Sequence, residues 1–105
     1  MVRGDVHAIS LPRRKGRVQQ GRRYAVVVQA DALLALSTIA VCPTSQSAPA
    51  ARFHPEIEVE GERTQVLCEM IRAVDAGKLG NSVGHLSHDE MAAIDEALGL
   101  VLDLG

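Results

Sequence analysis

Residues 21–45, GRRYAVVVQADALLALSTIAVCPTS, decide how this chain is read. They run as a Gly-Arg-Arg turn, an apolar strand, a link rich in Ala and Leu, a second apolar strand, and then Thr44 and Ser45. Tyr24–Gln29 is β-branched and bounded by polar turn signals, which favours a buried strand over a helix. Ser37–Cys42 reads the same way and is expected to stop at Pro43, which has no N–H for a sheet ladder. With the two strands as neighbours, the Arg23 guanidinium at the head of one lies near the Thr44 and Ser45 hydroxyls at the tail of the other. That set suits an anion the size of a phosphate, and no other stretch offers its like.

Working outward, the bulk properties set bounds. A chain of 105 residues is expected to form a single domain, 1–105, whose core is marginal because surface outweighs volume at this size. Tyr24 and Phe53 are the sole aromatic residues, so the core must be Val, Leu, Ile, Ala and Met, and a dimer interface would help complete it. No stretch is long enough to span a bilayer, and MVRGDVHAIS lacks the apolar run of a signal peptide. Cys42 and Cys68, on separate expected strands, are too few for a disulfide framework and read as buried reduced thiols of a cytoplasmic protein. The formal charge of −2 conceals an asymmetry: the first 23 residues hold seven basic groups against Asp5 alone, the remainder four basic against twelve acidic. A basic segment on an acidic body points to a focused anion site.

In chain order, residues 4–10 alternate as a first strand, ended by Pro12, and residues 13–22 form a basic loop with two glycines. Asp31–Leu36 is open between a helical turn and a crossing loop. Residues 45–55 are small, polar and proline-containing, a second loop. Glu56–Glu60 alternates strictly, and its three outward glutamates discourage edge-to-edge pairing. Thr64–Ile71 is expected as one further strand carrying Glu69. A short helical turn at Asp75–Leu79 and an extended piece at Val83–Leu86 follow. Ser87 with Glu90 forms a capping-box pattern, and Met91, Ile94, Leu98 and Val101 then recur on one helical face. Gly99 weakens that helix by about 1 kcal/mol relative to Ala and is expected at a close packing contact. The residues alone thus imply a strand-dominated domain finished by an amphipathic helix.

These segments, taken in order, resemble the MazF/PemK family of toxin endoribonucleases. The resemblance runs nearly end to end: RGDV at Arg3–Val6, the strand Gly21–Val28, the strand end V-x-P-T-S at Val41–Ser45, Ile71–Asp75, Gly84–Leu86, and I-D-E-A-L at Ile94–Leu98. It implies a mainly β (α+β) fold, a small SH3-like β-barrel with a C-terminal amphipathic helix, working as a homodimer without cofactor. It implies sequence-specific, metal-independent cleavage of single-stranded RNA at short sequence motifs and inhibition by a cognate antitoxin of the MazE type. It also implies that Arg23 and Thr44 are the central catalytic pair, with Ser45 beside them. The chain departs from the family pattern in three places: Tyr24 stands where proline is usual, Val18 where many members have glutamate, and Met70 where glutamine is usual.

RNA carries its own nucleophile, the 2′-hydroxyl, so cleavage requires orientation and charge stabilisation rather than a metal. A guanidinium at Arg23 binds phosphate oxygens in a two-pronged geometry, and Thr44 and Ser45 can donate hydroxyl hydrogen bonds. The 2′-proton is assigned to Glu69 or to the arginine itself. Arg13, Arg14, Lys15, Arg17 and Arg22 are expected along the RNA backbone, with Phe53 or Tyr24 stacking on an unpaired base. His85 and His88 are spaced for a metal, but the further ligands are missing from the pattern. Two rival readings share the fold: a gyrase-poisoning toxin acting through its C-terminal helix, and a catalytically silent RNA-binding module.

Overall fold

Within the described part of the computed structural model, residues 1–9 and 23–104, the segment 24–27 is buried on both faces. An uninterrupted apolar run is what a strand with cover on both sides requires. It forms β2 (Tyr24–Val27), flanked by β1 (Asp5–Ile9) and by β3 (Thr38–Ser45). The chain continues through β4 (Glu56–Val59), β5 (Glu62–Val66), β6 (Arg72–Asp75) and β7 (Leu79–His85) to the helix α1 (His88–Leu102). All strand pairs are antiparallel, in the order β4-β5-β3-β2-β1-β7, with β6 also on β3. The result is a mostly-sheet, curled half-barrel finished by one C-terminal helix. No helix among the described residues is long and apolar enough to cross a membrane.

Strand alternation divides the core in two. Val6, Tyr24, Val26 and Cys42 share one cluster with Ile57, Val66 and the helix residues Ile94, Ala97 and Leu98. Ile9, Ala25, Val27, Ile39, Val41 and Val74 form the other, edged by Leu34, Ala76 and Leu79. Met91 and Val101 pack on the first cluster, so the expected apolar stripe of α1 is the buried one.

β3 does not stop at Pro43, as the sequence suggested; it runs on to Ser45. The reason is a change of partner. Thr38–Val41 pair with β6 and Thr44–Ser45 pair with β5, so Pro43 falls in the gap between the two ladders. Its carbonyl accepts from Leu67 N at 2.8 Å, and its missing N–H faces the same side, where no strand asks for it. The Leu67 carbonyl, left without that donor, accepts from Met70 N at 3.0 Å and closes a 3₁₀ turn over Cys68–Met70. Thr64–Ile71 is therefore not one strand, as expected, but the end of β5 followed by this turn, with β6 starting just beyond it at Arg72.

The remaining segments follow their local chemistry. Asp31–Leu33 and Ala76–Lys78 are single 3₁₀ turns, which settles the first and agrees with the second. The extended piece before α1 is longer than expected and pairs with β1 through two register shifts. Glu60 and Gly61, at φ +52° and +81°, make the two-residue β4–β5 turn, and both positive values match the right-handed twist of a hairpin. Gly4 sits at φ +96°, a conformation that favours glycine, and a Cβ there would press on the His85 and Met91 side chains at 3.2 and 3.3 Å. The basic loop expected at 13–22, and with it Arg13, Arg14, Lys15, Arg17 and Arg22, lies outside the described residues.

Both halves of the capping box form: Ser87 Oγ accepts from Glu90 N at 3.1 Å, and Glu90 Oε1 accepts from Ser87 N at 2.9 Å. Glu90 Oε2 also accepts from Glu58 N on β4 at 3.0 Å. Burial pushes the Glu90 pKa up, but these bonds outweigh it and hold the carboxyl below its ordinary value. A depressed folded pKa contributes stability above the unfolded value, and that contribution is lost as pH falls through the folded one. Glu90→Gln is expected to be destabilising at neutral pH, with the difference from wild type closing in acid through the carboxylate range; urea melts at several pH values measure this. Gly99, by contrast, has nothing within 4 Å of a Cβ, so the close contact expected there is absent. Gly99→Ala should raise stability by about 0.5–1 kcal/mol, seen as a higher melting temperature.

Candidate active site

The head of β2 and the tail of β3 meet. Arg23 lies half-buried just before β2, and its Nη1 donates to the main-chain oxygen of Thr44 at 3.3 Å. The Thr44 hydroxyl returns the contact, donating to the Tyr24 carbonyl at 3.4 Å. Both bonds are at the long end of the usual range and are readily exchanged for stronger ones. Continuing the β2–β3 register from Ala25↔Pro43 sets Arg23 across from Ser45.

The two hydroxyls do not point the same way. Because β3 includes both residues, alternation sends Thr44 inward on the Cys42 side, where it is 2% exposed, and Ser45 to the opposite, half-open side. Ser45 Oγ accepts from Ser47 N at 3.3 Å and lies 3.4 Å from Ser47 Oγ. Arg23 thus meets β3 through the Thr44 main chain, with Ser45 across from it in register, rather than through a converging pair of hydroxyls.

Two expected site residues stand elsewhere. Glu69 is on the turn Cys68–Met70, not on a strand, and the structure pairs it with His54 instead of Arg23 or the hydroxyls. A role for Glu69 in taking the 2′-proton beside Arg23 is not what this placement favours. Tyr24 is inside the first core cluster, 8% exposed, with its hydroxyl donating to Glu60 Oε2 at 3.0 Å. Its ring face is covered, so stacking on a base falls to the half-buried Phe53.

His54 had no sequence pattern to announce it, and its contacts are the densest near the site. Nδ1 lies 2.8 Å from the Pro49 carbonyl and Nε2 lies 2.7 Å from Glu69 Oε2. A carbonyl can only accept, so Nδ1 carries a proton. Burial pulls the His54 pKa down, but the Pro49 carbonyl and the Glu69 carboxylate more than offset it and hold it above the ordinary value. The imidazole therefore favours its doubly protonated form, donating at both ends. Phe53 packs edge-on against the same ring, 4.7 Å between centroids at 72°. His7 Nδ1 donates to Gly80 O at 2.8 Å, leaving Nε2 buried and without a partner among the described residues.

Cys42 and Cys68 are both free and fully buried. They continue the β3–β5 register, and the neighbouring Cys68 thiol together with burial pushes the Cys42 thiol up. The metal spacing of His85 and His88 gathers no ligand set: His85 Nδ1 pairs with Asp5 at 2.8 Å, and no group of three or more His, Cys, Asp or Glu among the described residues could hold an ion.

A small curled β half-barrel with one C-terminal helix, presenting an arginine against the tail of its longest strand, is an architecture of small toxin domains. The chain belongs to the PemK-like, MazF-like toxins of type II toxin–antitoxin systems, whose family model matches residues 2–102. It is 37% identical over 106 residues to the Mycobacterium tuberculosis protein Rv3098A, covering 99% of each chain. It is 34% identical over 115 residues to Endoribonuclease MazF9 of the same organism, covering 99% of this chain and 98% of that one. Among solved structures, an endoribonuclease in complex with its cognate antitoxin from a mycobacterial species superposes with a TM-score of 0.83 at 18% identity, over 100% of this chain and 97% of that one.

The His54–Glu69 contact has a measurable pH signature. A histidine whose folded pKa is raised stabilises the protein fully below the unfolded value and loses that contribution as pH rises through the folded one. Wild type should exceed Glu69→Gln in stability at pH 5–6, by on the order of 1 kcal/mol once screening at the half-exposed Glu69 is allowed for. The gap should narrow as pH rises past the histidine range. A gap independent of pH in denaturant melts would count against the pairing.

Proposed function

We propose that the protein is a cytoplasmic endoribonuclease toxin, cutting single-stranded RNA without a metal and held in check by a cognate MazE-like antitoxin. The observation that carries this reading is the Arg23 guanidinium resting 3.3 Å from the Thr44 main-chain oxygen beside the open Ser45 hydroxyl. The match to the toxin family model and the likeness to Endoribonuclease MazF9 support the same reading for this chain.

The chemistry follows from charge. The 2′-oxygen attacks the adjacent phosphorus as its proton passes to solvent; the bond from phosphorus to O5′ breaks, and O5′ takes a proton from solvent. The products are a 2′,3′-cyclic phosphate and a 5′-hydroxyl end. Arg23 exchanges its long contact with Thr44 for the non-bridging phosphate oxygens, where negative charge builds in the transition state. Ser45 Oγ donates to the same phosphate, while the buried Thr44 hydroxyl, through its 3.4 Å bond to the Tyr24 carbonyl, holds the tail of β3 against the head of β2 and so keeps Arg23 in place. Arg13, Arg14, Lys15, Arg17 and Arg22 supply salt-sensitive attraction for the RNA backbone.

Homodimerisation fits the surface. Leu33, Leu36, Leu100, Leu102 and Leu104 are exposed on a chain whose own core is small.

The test is incubation of purified protein with RNA in a chelator, followed by analysis of the RNA ends. Cyclic phosphate and 5′-hydroxyl ends are expected from wild type. Arg23→Ala should lower the rate by about 10²-fold or more, the usual cost of removing one preorganised transition-state contact. Thr44→Val, which keeps shape and removes the hydroxyl, should lose activity while Thr44→Ser retains most of it. Intact RNA with arrested gyrase would overturn the reading.

A further inference from the structure

Beyond the phosphate site, one cluster is left unexplained by strand cleavage. Phe53, His54 and Glu69 are joined around a single imidazole, next to the tail of β3. Phe53 O accepts from Cys68 N at 3.3 Å, which ties the aromatic residue to the turn that carries Glu69. The His54 side chain is 6% exposed and the Glu69 side chain 39% exposed, so the imidazole is inside and the carboxylate reaches out. Its Oε2 is fixed by His54, and Oε1 has no partner among the described residues.

We propose that Phe53 and Glu69 form a subsite for one unpaired guanine of the RNA, the ring of Phe53 stacking on the base and the Glu69 carboxylate reading its Watson–Crick edge. This rests on the ribonuclease reading and adds to it the identity of a base. Single-stranded RNA is commonly read by an aromatic face together with hydrogen bonds to base edges. An ionised carboxylate only accepts, so it selects a base by its donors. Guanine alone presents two adjacent donors, N1–H and the N2 amino group, at the spacing of the two carboxylate oxygens. Adenine and cytosine each present one amino donor beside a ring nitrogen acceptor, which faces the carboxylate with like charge. Uracil presents one N–H between two carbonyl oxygens, which do the same.

His54 is a positioning residue here. Bonded at both ring nitrogens, to the Pro49 carbonyl and to Oε2, it fixes the direction of the carboxylate while leaving the remaining lone pairs open. Because a carboxylate offers about four lone-pair sites, the bond from His54 and two from guanine are compatible.

The experiment maps cleavage sites on a random RNA pool in chelator, and measures binding of uncleavable 2′-deoxy oligonucleotides carrying a single G, A, C or inosine in an oligo-U background. Wild type is expected to require guanine at one fixed position near the cut and to bind the G oligonucleotide about tenfold or more tighter than the others. Inosine, which lacks the N2 amino group, should lose most of that advantage; this arm needs no variant and is indifferent to folding. Glu69→Gln, checked for native circular dichroism, should lose the requirement for guanine at that position among the sites it cuts and the tighter binding of the G oligonucleotide. Phe53→Ala should weaken binding of all four oligonucleotides alike. Cleavage with a base preference untouched by Glu69→Gln, or equal binding of inosine and guanine, overturns the subsite and leaves the ribonuclease standing. RNA neither cut nor bound by wild type overturns both.

Discussion

A missing hydrogen-bond donor shapes much of this molecule. At Pro43, β3 passes from one neighbour, β6, to another, β5, and proline is the residue that a strand can place there without leaving a partner unsatisfied. The carbonyl freed on Leu67 is taken by Met70, and the resulting turn sets Glu69 beside His54. On the other edge of the same strand, β2 holds Arg23 against the Thr44 main chain. One eight-residue strand thus positions both the cation and the carboxylate through opposite edges, and each edge is satisfied by a different partner.

The two charges are held in different ways, and the difference matters for what each can do. Arg23 makes one long bond to a neutral carbonyl, so an incoming phosphate competes with a weak partner. Glu69 is anchored at one oxygen by a buried imidazole that itself has no free nitrogen. It is therefore poorly suited to moving toward a reacting atom and well suited to presenting a fixed edge. A mobile-contact cation and a fixed carboxylate are what cutting and choosing, respectively, require.

The β2 and β3 strands were legible because unbroken β-branched runs carry a strong signal, and α1 was legible because its cap and its stripe agree. The proline was legible as an interruption but not as a crossing, since only the pairing of β5 and β6 shows that no donor is wanted there. The same ignorance carried the strand of β5 on to Ile71 and put Glu69 on it. Arg23 and Thr44 came from the linear pattern, whereas the opposed directions of Thr44 and Ser45 depended on β3 continuing two residues beyond Pro43. His54 sits in a loop of Ser, Ala and Pro with no periodicity, and its partners are 5 and 15 residues away in sequence. Nothing local could announce it.

The single carboxylate of Glu90 belongs at once to a helix start and to the backbone of β4. Ends of helices ordinarily fray ahead of the rest of a protein, because their first turn is held by local contacts alone. Here, loosening the first turn of α1 also strips an amide of β4 of its acceptor, so the hairpin and the helix open together. Amide exchange at Glu58 and at Ser87 would then share one opening event, and α1 would separate from the sheet as a block, not turn by turn.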